Sequence, residues 1–232
     1  MDVLISLCIP CHNRTYDLKQ TLPLTIEAAR HSLYTETVVL DYASPDDLAE
    51  YIHAVRTSLF GRFNDPPLVY RKYTGRDYYH MAHARNLSVL ASTGQYITIL
   101  SADIQPTADF LRWVRSAIER DGYVWMYEER YKGVVVVRRD EFVAAGGYDE
   151  RFEFYGPEDR ELHERLVRRG GKHRTIPAGM LNVLPTPNEA KVANYRLALS
   201  KREMHTRMYP ILEESRDKRT LVANPGGWGA WA

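Results

Sequence analysis

Four carboxylates sit where they could do chemistry: Asp41 in VLDYASPDD, Asp103 in LSADIQP, and the adjacent Glu158 and Asp159 in YGPEDREL. Asp41 and Asp103 each follow a short apolar, β-branched run, at what reads as the carboxyl end of a strand. A carboxylate there can accept hydrogen bonds from a base or ribose, or hold a divalent cation through its oxygens. It can equally cap the helix that follows. Glu158-Asp159 opens a charged helical pattern, where the helix dipole favours negative charge. It follows Phe152, Phe154 and Tyr155, whose flat faces suit a sugar ring. Taken alone, the pair is also explained as a charged first turn with no chemistry.

These groups can act together only if a fold gathers strand ends into one crevice, and the hydrophobic pattern predicts such a fold. A strand over 3–9 ends at Pro10, and a helix carries Leu18, Leu22, Ile26 and Ala29 at helical spacing. A second strand over 37–40 is closed by a loop in which Ser44 is a candidate N-cap and Pro45 a first helical residue. A polar, proline-containing stretch over 64–67 leads to a strand over 68–73, a helix over 81–91 and a strand over 96–100. Strands alternating with helices predict an α/β fold with a mostly parallel, doubly wound sheet, its ligands beyond the carboxyl ends of the strands.

After Pro106 the rhythm changes. A helix to Arg120, strands over 123–127 and 133–138, a short helix, Gly146-Gly147 and an amphipathic helix over 158–169 follow in turn. The last third reads as a long helical segment over 191–218 interrupted at Pro210, with a loose tail over 224–229.

Thirty-one basic against thirty acidic residues leave a net charge of +1, so no global field argues for nucleic acid or an anionic membrane. The amino-terminal apolar run is too short, and lacks the basic flank, for a signal peptide, and no segment approaches the ~20 apolar residues of a membrane span. The expectation is a cytoplasmic protein. Cys8 and Cys11 form a CxxC without a second ligand pair, which favours packed cysteines over a redox or zinc site. His80 and His83 lack a third ligand nearby and read as packing or hydrogen-bonding residues. The basic run Arg165, Arg168, Arg169, Lys172, His173 and Arg174 reads as a solvated face that could also attract a phosphate-bearing acceptor.

Three segments, SLCIPCHNR, VVLDYASPDD and HMAHARNLSVLASTGQYITILSADI, resemble family 2 glycosyltransferases of the GT-A type. They match the opening strand, the nucleotide-binding strand end and the run into the DxD motif. The resemblance implies a Rossmann-like GT-A fold in one domain with two halves, residues 1–105 for the nucleotide-sugar donor and 106–232 for the acceptor and catalysis. It places Pro10, His12 and Arg14 in the nucleotide pocket, Asp41 on a uracil-type base, and Arg85 and Asn86 facing the donor. Ser101-Ala102-Asp103 stands at the DxD, with Asp103 as the ligand for manganese or magnesium.

GGYDERFEFYGPEDRELHERL resembles the carboxyl-terminal module of β-1,4-galactosyltransferases and their bacterial relatives. That likeness puts Phe154, Tyr155, Gly156 and Glu158 at the acceptor and makes Asp159 the catalytic base. The implied function is an inverting glycosyltransferase of hexosyltransferase type, moving sugar from a nucleotide sugar, UDP-linked by expectation, to an acceptor hydroxyl. Two departures stand out. Ser101 replaces the first aspartate of the DxD, and the stretch GMLNVLPTPNEA lacks the metal-binding histidine of such families, leaving Asn182, Asn188 or His205 as substitutes. They support a competing reading as a metal-independent or non-catalytic nucleotide-sugar binder. A sugar nucleotidyltransferase is the third reading, disfavoured because CIPCHNRTYD is no glycine-rich triphosphate loop.

Overall fold

The computed structural model describes residues 4–231 except 33, 60–65 and 132. Val3, and residues 64 and 65 of the proline-containing stretch, fall outside the described residues. Strands β1 (Ile5–Cys11), β2 (Thr35–Tyr42), β3 (Leu68–Tyr73) and β4 (Tyr96–Ile99) pair in parallel in the order β3-β2-β1-β4. Every residue of β1 and β2 is buried, as helices on both faces require of central parallel strands. The connections are helices α1 (Thr15–Arg30), α2 (Leu48–Leu59) and α3 (Met81–Leu90). The second half adds to the same sheet. β7 (Val135–Arg138) runs antiparallel to β4, then β6 (Trp125–Tyr127) and β8 (His173–Thr175) complete seven strands. This is the mostly parallel, helix-flanked sheet that the GT-A expectation calls for.

The crevice comes from where β4 stops. Leu100 N–H donates to the Cys8 carbonyl, and two residues on Pro10 faces the same side beyond the end of β4. Pro10 has no N–H to leave unpaired there, so the sheet opens between β1 and β4 without an orphaned donor.

A small two-stranded sheet, β5 (Ile104–Pro106) with β9 (Leu181–Val183), lies next to that opening, a pairing the sequence did not signal. Between its strands come α4 (Ala108–Ser116) with a wider π turn over Ala117–Asp121, α5 (Arg139–Ala144) and α6 (Glu158–Arg169). α7 (Asn188–Val192) and α8 (Lys201–Asp217) close the chain.

Three expectations need correction. Ser44 does not cap α2, which starts at Leu48; its hydroxyl accepts from Asn13 N–H at 2.7 Å and donates to Asp46 at 2.7 Å. Asp46 in turn accepts the Thr15 N–H at 2.9 Å, so the loop after β2 caps α1 across the sheet. The segment over 191–218 is two helices, because Ser200 and Glu203 form a reciprocal capping box that starts α8 afresh. Pro210 lies inside α8 without ending it, since Met204, Met208 and Leu212 stay packed in the core on one helical face.

The tail is anchored, not loose. Asn224 donates to the carbonyls of Gly146 (2.8 Å) and Tyr148 (2.7 Å) and accepts from Glu150 N–H at 3.0 Å. Gly229 N–H reaches Glu150 at 2.8 Å, and the Trp228 ring meets Phe142 edge-on. The glycines 146 and 147 stand at φ 81° and 67°, and a Cβ on Gly146 would sit 2.1 Å from the Ala223 carbonyl oxygen. That turn exists to receive the tail.

Candidate functional site

A cleft of about 450 Å3 opens at the carboxyl ends of β1 and β4. Pro10, His12 and Arg14 reach it from the end of β1, Ser101, Ala102 and Asp103 from the turn after β4, and Arg85 from α3. The turn into α6 brings Tyr155, Gly156, Glu158 and Asp159 to the opposite wall. Donor-side and acceptor-side candidates from distant segments thus share one crevice.

Asp41, Asn86 and Phe154 do not line it. The Asp41 carboxylate is 1% exposed and accepts from Ser44 N–H at 2.7 Å and the Tyr70 hydroxyl at 2.6 Å, with Lys72 at 3.7 Å. The Asn86 amide donates to the Tyr148 carbonyl (2.9 Å) and Glu150 (2.8 Å) and accepts from Tyr148 N–H (2.8 Å), tying α3 to the GGYDE turn. Phe154 packs in the core against Tyr195, with the Arg207 guanidinium 5.6 Å from its ring centre.

At the floor, Arg85 Nη1 donates to Glu158 Oε1 at 2.8 Å, both side chains almost fully buried. Burial, then the charge of Asp159, push the Glu158 carboxyl up, and Arg85 opposes them. Burial alone would lower the Arg85 pKa, but Tyr148, Glu158 and Asp159 around it raise it. Arg85 therefore stays a cation, and Glu158 holds a proton more readily than a free carboxylate. Its second oxygen, Oε2, is buried and bonded to nothing among the described residues. Asp159 is half-buried, and Oδ1 accepts the Arg160 N–H at 2.6 Å. Beside it, burial and then the charges of Glu158 and Asp159 push the Tyr155 hydroxyl up to about 12, so it stays a neutral donor.

At the mouth of β4, Asp103 Oδ2 accepts the Thr186 hydroxyl at 2.9 Å, and Arg14 Nη2 lies 3.5 Å away. The same guanidinium nitrogen donates to Thr186 Oγ1 at 3.1 Å, while Arg14 Nε donates to Asp17 at 2.5 Å. Burial would lower the Arg14 pKa; its bond to Asp17 and the Asp103 charge raise it instead. Among the described residues no three His, Cys, Asp or Glu side chains gather as a metal cage. The donor set at Asp103 is one carboxylate with a guanidinium beside it, so these residues do not fit a protein-built divalent site, and the expected metal role of Asp103 gains no support from them. The proposed substitutes are elsewhere: Asn182 donates to Gln105, Asn188 accepts from Lys201, and His205 is exposed beside Tyr209.

The cleft also takes residues that sequence reasoning missed: Tyr79, Glu129–Tyr131, Thr186's neighbours on α7 including Lys191, and Asn194 and Tyr195. Tyr79 stacks beside His12 at 5.9 Å between ring centres, and its N–H donates to the Asn194 carbonyl at 2.7 Å. Val183 and Ala190 on the cleft wall lie in the stretch searched for a histidine, and so does Thr186, which bonds Arg14 and Asp103 beside it. His12 Nδ1 is 2.5 Å from the Tyr42 carbonyl, which can only accept, so Nδ1 bears the proton.

The remaining candidates have structural roles. Cys8 and Cys11 are buried free thiols; burial pushes Cys8 up to about 12 and Cys11 further. His80 Nδ1 accepts from His83 N–H, and His83 lies 2.8 Å from the Tyr42 hydroxyl and 3.2 Å from the Ala230 carbonyl. In the basic run, Arg165 pairs with Glu161 in the core, Arg169 with Glu141, and Arg168 donates to the Thr220 carbonyl.

Residues 6–177 match the family model described as "Glycosyl transferase family 2". The chain belongs to glycosyl transferase family 2. It is 26% identical over 174 residues to the abequosyltransferase RfbV of Salmonella typhimurium, covering 73% of this chain and 50% of that one. The chain thus spans half the length of the curated relative it matches. Its fold is similar to that of S. aureus TarS residues 1–349 (TM-score 0.64, 11% identity, 87% of this chain and 68% of that one). It is also similar to the mannosyltransferase PcManGT of Pyrobaculum calidifontis in complex with GDP-Man and Mn2+ (TM-score 0.63, 17% identity, 80% and 58%). GalNAc-T7 with UDP, GalNAc and Mn2+ gives a TM-score of 0.67 at 14% identity over 92% and 48%. Among the described residues no helix is long and apolar enough to cross a membrane.

Proposed function

We propose that this chain is an inverting glycosyltransferase that moves a sugar from a UDP-type nucleotide sugar to an acceptor hydroxyl, with Asp159 as general base. The observation that carries the reading is the shared cleft: Asp159 and Glu158 line the same space as Arg14, Ser101 and Asp103. Solved relatives in complex with UDP, UDP-GlcNAc and GDP-Man support a nucleotide-sugar donor.

In the reaction the acceptor oxygen bonds to the anomeric carbon from the face opposite the leaving group. The bond from that carbon to the diphosphate oxygen breaks, its electron pair departs with the nucleoside diphosphate, and the acceptor proton passes to Asp159. A single displacement inverts the anomeric centre. Asp159 sits at the amino terminus of α6, half-open to the cleft, where a carboxylate can meet an acceptor hydroxyl. Glu158, held on one oxygen by Arg85, keeps the other for a second acceptor hydroxyl, and Tyr155 and Gly156 form the adjacent wall, as in the β-1,4-galactosyltransferase-like reading. Pro10, His12, Arg14 and Arg85 line the donor side.

Asp159→Asn tests the assignment. Transfer should fall by about 100-fold or more while donor binding holds, because the variant keeps the shape and loses only the base. Near-normal turnover would refute it.

A further inference from the structure

The space beside Asp103 already contains a cation. Arg14 Nη2 is 3.1 Å from Thr186 Oγ1 and 3.5 Å from Asp103 Oδ2, and Thr186 bonds Asp103 at 2.9 Å. Thr186 lies on the stretch where the family resemblance called for a metal-binding histidine, and Ser101 stands where it called for a first aspartate. Ser101 lines the same cleft, and the group that Thr186 and Asp103 share there is a guanidinium. A divalent ion on Asp103 would meet that fixed positive charge at a few ångströms, where like charges repel strongly even near a protein surface. Arg14 is also braced: Asp17 holds its Nε at 2.5 Å from the first turn of α1.

Resting on the reading of this cleft as a nucleotide-sugar site, we propose that Arg14 replaces the divalent cation, so that the donor diphosphate is bound and its leaving charge neutralised without metal. When the bond from anomeric carbon to phosphate oxygen breaks, the electron pair leaves on that oxygen and the Arg14 guanidinium meets it with a forked pair of N–H donors. Asp103 and Thr186 are positioning residues. They aim Arg14 and do not coordinate an ion.

The test is isothermal titration with UDP, GDP, dTDP and CDP, in EDTA and again in MnCl2, with melting temperatures to verify folding. In the wild type the tightest of these binds with the same Kd, within about two-fold, in both buffers. Arg14→Ala weakens it about ten-fold or more, and Arg14→Lys, which keeps the charge but loses the fork, recovers part of the loss. The double variant Arg14→Ala with Thr186→His removes the guanidinium and sets an imidazole beside Asp103, and should bind better in MnCl2 than in EDTA. Ten-fold tightening by Mn2+ in the wild type, or an Arg14→Ala protein with unchanged affinity, overturns the proposal while leaving the nucleotide-sugar reading intact. Failure of all four nucleotides to bind in either buffer overturns both.

Discussion

A single methyl group placed opposite the Glu158-Asp159 pair should slow the proposed transfer without unfolding the protein. A Cβ built on Gly133 would lie 2.7 Å from Arg85 Nη2. Carbon–heavy-atom contacts settle at about 3.5 Å, so in Gly133→Ala the guanidinium must retreat by about 0.8 Å. Arg85 has little room to do so. Its Nη1 is bonded to Glu158 at 2.8 Å, and its guanidinium carbon sits 5.0 Å from the centre of the Tyr148 ring. The shift is transmitted to Glu158 and, one residue on, to the Asp159 carboxylate. A displacement of about 1 Å in a catalytic group costs up to about 100-fold, so kcat should fall roughly 10- to 100-fold, or about 1.4–2.7 kcal/mol of transition-state stabilisation. Gly133 does not occupy the left-handed backbone region, so alanine adds no dihedral strain. Stability should change by less than about 1.5 kcal/mol, because the clash falls on the end of a long side chain. Steady-state transfer assays alongside urea unfolding measure both quantities. Wild-type kcat in a folded Gly133→Ala protein would show that Arg85 does not position the acceptor-side carboxylates.

Acid should weaken the fold from near-neutral pH. Burial, then the charges of Arg76 and His83, push His80 down to about 3, whereas an unfolded histidine titrates near 6.5. The unfolded chain thus binds the extra proton first, so this contribution is fully present above about pH 6.5. It is lost at up to about 1.4 kcal/mol per pH unit as pH falls toward 3. Urea melts from pH 8 to 5 should show this slope, and His80→Gln should flatten it; an equal slope in the variant would assign it elsewhere. Asn224→Ala removes three hydrogen bonds that tie the tail to the Gly146–Glu150 turn. At about 1 kcal/mol each, it should cost about 2–3 kcal/mol, or roughly 4–12 °C in Tm. Thermal melts within 1 °C of wild type would mean that the tail contributes nothing to stability.

Local pattern made much of this protein legible. The apolar runs of β1, β2 and β4 and the helical spacing of Leu18, Leu22 and Ile26 encode burial directly, because a residue's face follows from its position in a period of 2 or 3.6. Strand ends put Ser101 and Asp103 at a crevice, the family resemblance added Pro10, His12 and Arg14, and all five line one. The same reasoning put Asp41 there too, and failed because its carboxylate is taken up by a turn and by Tyr70 on the neighbouring strand. Sequence fixes where a strand ends, but not which neighbours claim the side chain at that end.

Tertiary structure decided the partners. Arg14 meets Thr186 across 172 residues, Asp103 meets Thr186 across 83, and Arg85 meets Glu158 across 73. None of these encounters leaves a periodic trace, because each joins single polar residues on elements whose own patterns are set by burial elsewhere. The tail shows the same limit. Its Asn-Pro-Gly-Gly composition reads as disorder locally, yet the carbonyls it satisfies lie on a turn nearly eighty residues earlier in the chain. The sequence determined a GT-A frame and the wall on which Glu158 and Asp159 stand. Which cation faces Asp103 was settled by long-range packing, since a guanidinium finds its carboxylate only after the sheet has brought β1 beside β4.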